Sequence, residues 1–113
     1  MTRYVQKGEA VDYRPTEAVA AGDVIVQGSL VGVARLDIEA GTLGSLAVVG
    51  VFDAPKGTGA IAVGTPLYWD AANKVATATQ SGNQYLGKSV QAAEAADEVV
   101  RVLLNAPYVA VLL

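Results

Sequence analysis

Glycine and proline punctuate this chain at short intervals, and that spacing favours strands and turns over long helices. Twelve glycines and four prolines are spread over 113 residues, with apolar stretches of mostly Val, Ala and Leu between them. The pattern predicts many short strands joined by turns rather than a helical bundle. Leu46 to Phe52 is one such stretch, apolar and β-branched, too short for an ordinary helix and broken by Gly50. Asp53-Ala54-Pro55 is expected to end its ladder, because Pro55 has no N–H and restricts the residue before it. A Gly-rich loop, Lys56-Gly57-Thr58-Gly59, follows, and Leu67-Tyr68-Trp69-Asp70 resumes strand character with the only tryptophan. The expectation is a central strand, a structured crossing loop, and a second strand whose aromatics close the core.

The length suits one domain with a real core but not two. Apolar residues make up 52% and aromatics only 6%, so small aliphatic side chains must fill that core. Net charge is −3 with a pI near 4.7, and no cluster of Lys or Arg occurs. This argues against nucleic acid as a direct partner, since neutralising phosphates is what drives such binding. There is no cysteine and no histidine, which removes disulfides, thiol nucleophiles and the commonest general base and metal ligand. No segment approaches the roughly 20 apolar residues that cross a bilayer. Met1 to Gly8 has no apolar signal core, so a cytosolic product without membrane contact is expected.

Taken in order, Tyr4 to Gly8 is a short polar–apolar alternation, followed by a charged, turn-like stretch to Thr16. Residues 1–16 are either an N-terminal arm lying across a partner or an edge strand; residues 17–113 form a single β domain. Val24–Gln27 and Leu30–Ala34 read as strands joined by a tight Gly28-Ser29 hairpin turn. Arg35 to Glu39 alternates, with Leu36 and Ile38 on one face and the charges on the other. Val75 to Thr79 and Tyr85 to Ala92 are further strands, with Gly87 a bulge or a site of close approach. Ala93 to Asp97 is a turn, and Glu98 to Leu104 a strong strand. The chain closes on Tyr108-Val109-Ala110-Val111-Leu112-Leu113. Six apolar residues at a terminus imply burial, either as a closing strand or in a subunit contact.

The residues hold little chemistry. A phosphate loop needs a glycine before its lysine and a hydroxyl residue after it; here Pro55 and Gly57 flank Lys56. Asp37 and Glu39 would share a strand face and could hold a hard cation, though with Arg35 they also make an ordinary solvated face. Tyr68 and Trp69 could stack a sugar or base, but such a pair is more often core. No catalytic constellation emerges, and none of the residues points to a cofactor, a metal or a small-molecule substrate. The reading is of a protein that is not an enzyme.

Several segments, in order, carry a resemblance: Ala21 to Ile25, Leu30 to Ala34, Val49 to Lys56, Gly64 to Asp70, and Tyr85 to Val90. Over about Tyr4 to Leu104 the chain resembles a family of small phage and prophage proteins, the capsid cement proteins (DUF2190). The Gly-Val-Phe, Pro-Lys and Tyr-Trp-Asp series is the most specific part. The resemblance implies an all-β fold, a compact β-barrel or β-sandwich of short strands, to which the residues themselves add an extended N-terminal arm or edge strand. It implies a virion protein on the outer capsid surface, found in the bacterial host cytoplasm before assembly, that binds the major capsid protein as a homotrimer. On this reading Thr2, Arg3, Tyr4, Val5, Gln6 and Lys7 contact the capsid by strand addition. Outside the matched part, Tyr108, Val109, Val111, Leu112 and Leu113 contact a neighbouring subunit if they do not form a closing strand of the domain. The same family is often labelled a RecA/RadA-type recombinase, which the absent phosphate loop does not support. The rival readings are a recombination-associated nucleotide- or DNA-binding protein and a small carbohydrate-binding domain.

Overall fold

Nine strands carry the fold in a computed structural model that describes Thr2, Arg3 and residues 8–107. They are β1 (Ala10–Tyr13), β2 (Val24–Gln27), β3 (Leu30–Ala34), β4 (Gly44–Ala47), β5 (Val51–Pro55), β6 (Pro66–Asp70), β7 (Val75–Thr77), β8 (Gln84–Ser89) and β9 (Val99–Leu104). The first sheet has the order β1-β4-β3-β2 and the second β5-β9-β8-β6-β7. All strand pairs within the sheets are antiparallel. The architecture is all-β and sandwich-like. Lys56, just past β5, makes an isolated parallel bridge to Ala76 of β7, and β5 and β7 form no ladder, so the second sheet curls without closing into a barrel.

The β2–β3 hairpin forms where its turn residues require it. Gln27 pairs with Leu30 across Gly28 and Ser29, and Gly28 has φ +61°. A positive φ at the first loop position alone is the II′ geometry that matches strand twist, and glycine adopts it without strain. The expected strands Val24–Gln27 and Leu30–Ala34 are found with those bounds.

The stretch Leu46 to Phe52 differs from the expectation of one central strand. Leu46 and Ala47 end β4 in the first sheet, and Val51 and Phe52 open β5 in the second. The chain changes sheets at Val48-Val49-Gly50, where Gly50 has φ +124°, a conformation that breaks a ladder rather than continuing it. Pro55 does not stop the strand but ends it from inside, opposite Val99. That is tolerated because β5 is an edge strand and needs no outward N–H.

Two other segments depart from the sequence reading. The stretch after Gly8, read as turn-like, contains β1, paired with β4 from Ala10↔Ala47 to Tyr13↔Gly44. Arg35 to Glu39, read as an alternating strand face, holds only an isolated bridge between Ile38 and Val19. Its two apolar residues part company: Ile38 is buried and Leu36 is 76% exposed.

Alternation along β3 gives the first sheet two apolar faces. Val31 and Val33 point into the main core with Ala54, Leu67, Trp69, Leu86, Val100, Val102 and Leu104. Ala34 points the other way, to a second cluster with Val19, Ile38 and Leu46. The first sheet is therefore a middle layer between the second sheet and the segments that carry Val19 and Ile38. Gly87 lets β8 and β9 approach closely: a Cβ there would lie 2.1 Å from the Leu103 oxygen. The register of β8 against β6 skips at that point, from Leu67↔Gly87 to Tyr68↔Tyr85, so the expected bulge is present.

Candidate functional site

The residues that the sequence marks as contacts lie at the two ends of the chain. Thr2 and Arg3 are exposed. Tyr4, Val5, Gln6 and Lys7, and Tyr108, Val109, Val111, Leu112 and Leu113, fall outside the described residues. The surfaces that frame the two ends can be built from the sheets.

The C-terminal exit is firmly held. After β9 the chain turns at Asn105, with φ +53°, and the Asn105 N–H donates to the Leu86 oxygen at 2.8 Å. The Asn105 side-chain amide donates to the oxygens of Val31 and Val48 at 2.9 and 2.7 Å. The Tyr85 hydroxyl donates to the Ala106 oxygen at 2.5 Å, and Ala106 is buried. Pro107 thus leaves the domain from a fixed point beside the fork where β3 and β4 separate.

A sheet edge exposes unpaired main-chain groups, and proteins usually block it with charge, proline or a short strand. Among the described residues, three of the four edges are blocked in this way. β1 carries Asp12 in mid-strand, β5 carries Asp53 and Pro55, and β7 has only three residues and adjoins the Lys56 bridge. β2 carries none of these devices. Its sequence is Val24-Ile25-Val26-Gln27, and among the described residues no strand lies beyond it. A groove of about 450 Å³ runs along this edge, lined by Val24, Val26, Pro55, Trp69 and Lys74 among others.

A second exposed surface is the outer face of β5 and β9. Cross-strand pairs place Val51 beside Leu103, Asp53 beside Arg101, and Pro55 beside Val99. Val51, Val99 and Leu103 are all exposed. Arg101 grips Asp53 in a two-point pair, Nε to Oδ1 at 2.9 Å and Nη2 to Oδ2 at 3.2 Å. Hydrogen bonding from Arg101 holds the Asp53 carboxyl below its usual range, and Asp53 raises Arg101 in turn. A third surface is a groove of about 640 Å³ between residues 35–38 and 42–45, with Leu36 and Leu43 on its rim.

The residues weighed for chemistry take structural places. Asp37 Oδ1 accepts the Ala21 N–H at 2.8 Å and, with no strand there, shares no strand face with Glu39. Lys56 is buried, and its ammonium donates to the oxygens of Gly57 and Ala95 at 2.9 and 3.2 Å. A lysine turned inward to main-chain carbonyls is not aimed at a phosphate. Tyr68 and Trp69 are each 6% exposed, so neither offers a ring face for a sugar to stack on. Tyr68 instead packs edge-on against Tyr85, with ring centroids 5.9 Å apart. Among the described residues no group of three or more acids could hold a metal ion, and no helix is long and apolar enough to cross a membrane.

Sequence reasoning missed the open β2 edge. The signal was present, four residues without charge or proline, but whether a strand is an edge depends on pairings made far along the chain.

Residues 5–104 match the family model of the phage cement protein. Comparisons with curated proteins and with solved structures found no match. The matched span takes in all nine strands and stops at the last residue of β9, short of the exit at Asn105. With nearly the whole domain covered, the chain belongs to the phage cement protein family, whose members are structural proteins associated with the phage capsid.

Proposed function

We propose that the protein works as a homotrimer that binds the outer surface of the capsid, contacts the major capsid protein and stabilises the shell. The observation that carries this reading is the family match over residues 5–104. The molecule supports it with surface rather than chemistry: an exposed apolar strip on β5 and β9, an unblocked edge at β2, and titratable groups engaged in structural bonds. Thr2, Arg3, Tyr4, Val5, Gln6 and Lys7 dock on a capsid sheet edge by strand addition, where main-chain bonds give affinity and alternate side chains give selectivity. Tyr108, Val109, Val111, Leu112 and Leu113 contact a neighbouring subunit, hiding apolar surface that a domain of this size leaves uncovered. In the host the protein stands free in the cytoplasm until a shell is available.

The test is co-sedimentation with capsids stripped of cement protein. The intact protein is expected to pellet with the shells and to raise their melting temperature. Deleting Met1 to Gly8 should abolish pelleting while leaving the fold, read by circular dichroism, unchanged. Undiminished pelleting of the shortened protein would rule out the arm, and no pelleting of the intact protein would rule out capsid binding.

A further inference from the structure

We propose that the C-terminal segment Tyr108–Leu113 of one copy adds as a strand to the β2 edge, Val24–Gln27, of the next copy. The inference rests on the homotrimer reading above. A closed ring of three is made by a head-to-tail contact, so each copy must present two different surfaces, one donor and one acceptor. Pairing of β2 with β2 would be isologous and would stop at two copies.

The donor is the apolar segment. Its six residues, Tyr-Val-Ala-Val-Leu-Leu, include no charge, glycine or proline, and most of them favour strands. It leaves from Pro107, a point fixed by the bonds of Asn105 and Tyr85 described above. Fully extended, six residues reach about 20 Å. Four residues of β2 occupy about 13 Å, so the segment can cover the edge and still spend about two residues crossing between copies.

The acceptor is defined by hairpin geometry. In a two-residue hairpin the residues that flank the loop, Gln27 and Leu30, form a hydrogen-bonded pair, and such pairs recur at every second residue. Ile25 with Gly32 is the next one. Val24 and Val26 therefore turn their N–H and C=O groups away from β3, towards the open edge. Val24 packs against the main core, and Val26, which lies on the same face, is 36% exposed beside the groove. An added strand would take up these four main-chain groups and lay alternate side chains over Pro55 and Trp69. The other three edges are blocked by charge, proline or shortness, which leaves β2 as the acceptor.

The absence of cysteine from the chain makes the contact directly readable. Three proteins are compared by light scattering: the wild type, Val109→Asp with Val111→Asp, and Val26→Lys. The wild type should have the mass of three chains, and both variants should fall threefold to one chain, with native circular dichroism. In parallel, Val26→Cys is combined in turn with Val109→Cys, Ala110→Cys or Val111→Cys and mildly oxidised. At least one combination should give a covalent ladder up to three chains on a non-reducing gel. A wild type that is not a trimer, or a trimer that survives the two aspartates, defeats the trimer or tail reading and this inference with it. If the aspartates dissociate the trimer but Val26→Lys does not and no inter-chain ladder forms, that reading stands and β2 is not the acceptor. Disulfides formed only within single chains would likewise overturn the inference.

Discussion

Asn105 donates its side-chain amide to the main-chain oxygen of Val48 at 2.7 Å and to that of Val31 at 2.9 Å. One residue after β9 thus ties the fork between β3 and β4 to the second sheet. Val31 and Val48 are both buried, so water does not readily replace a lost donor.

Asn105→Ala should therefore cost more than one ordinary hydrogen bond. It leaves the carbonyls of two buried residues without that donor and puts alanine, which tolerates the left-handed region less well than asparagine, in a turn of φ +53°, for a loss of about 2–4 kcal/mol. Asn105→Gly removes the bonds but relieves the turn, and should fall short of that loss by about 1 kcal/mol. Urea unfolding followed by Trp69 fluorescence measures both; equal losses would mean that the turn carries no strain.

Gly87→Ala tests the approach of β8 to β9. The added methyl would sit 2.1 Å from the Leu103 oxygen, against backbone that cannot rotate aside, and should cost about 3 kcal/mol. Gly82→Ala is the matched control. Gly82 has φ +79° with nothing within 4 Å, so only the conformational term of about 1 kcal/mol applies. Thermal melts should rank Gly82→Ala well above Gly87→Ala, and the reverse order would refute the contact.

Lys56 separates charge from shape. Lys56→Met keeps the aliphatic stem against β7 and exchanges a buried cation for an apolar group, so stability should change by no more than about 1 kcal/mol. Lys56→Glu faces a carboxylate towards the oxygens of Gly57 and Ala95, and should cost about 3 kcal/mol or more. Comparable denaturation midpoints for the two variants would show that the ammonium's bonds do not matter.

Acid should weaken the outer face of β5 and β9 in a defined window. The Asp53 carboxyl is lowered by the hydrogen bond from Arg101, so its contribution is present above the ordinary carboxylate pKa of about 4. It is lost as the pH falls through the lowered value. Asp70, lowered chiefly by hydrogen bonds from Asn73, acts in the same direction. Asp53→Asn should flatten the drop in melting temperature below about pH 4, and an unchanged profile would remove Asp53 from the account. The effect should be small, because both partners are about half exposed and water screens the pair.

Much of the second sheet was legible because its signals are local. β9 alternates exposed and buried residues along its whole length, which is the period-two pattern a half-buried strand must show. In the first sheet, the Gly28-Ser29 hairpin carried its own turn chemistry. β1 was hidden because Ala10-Val11-Asp12-Tyr13 has polar neighbours on both sides and gains its strand only by pairing with β4, more than thirty residues later. The segments expected to make contacts lie at the two ends of the chain, while the β2 edge and the outer face of β5 and β9 exist only through pairings between distant segments.

Residue types and spacing by themselves determined an all-β chain with small aliphatic cores, no thiol or imidazole chemistry, and tight turns at glycine. These follow from side-chain and backbone preferences that act over a few residues. Tertiary structure alone decided that Leu46 to Phe52 divides between two sheets, that Ile38 is buried while Leu36 is exposed, and that β2 is the unblocked edge. Each of these depends on which distant segment arrives alongside. A strand becomes an edge, and a valine a contact surface, only when the rest of the chain has chosen its partners.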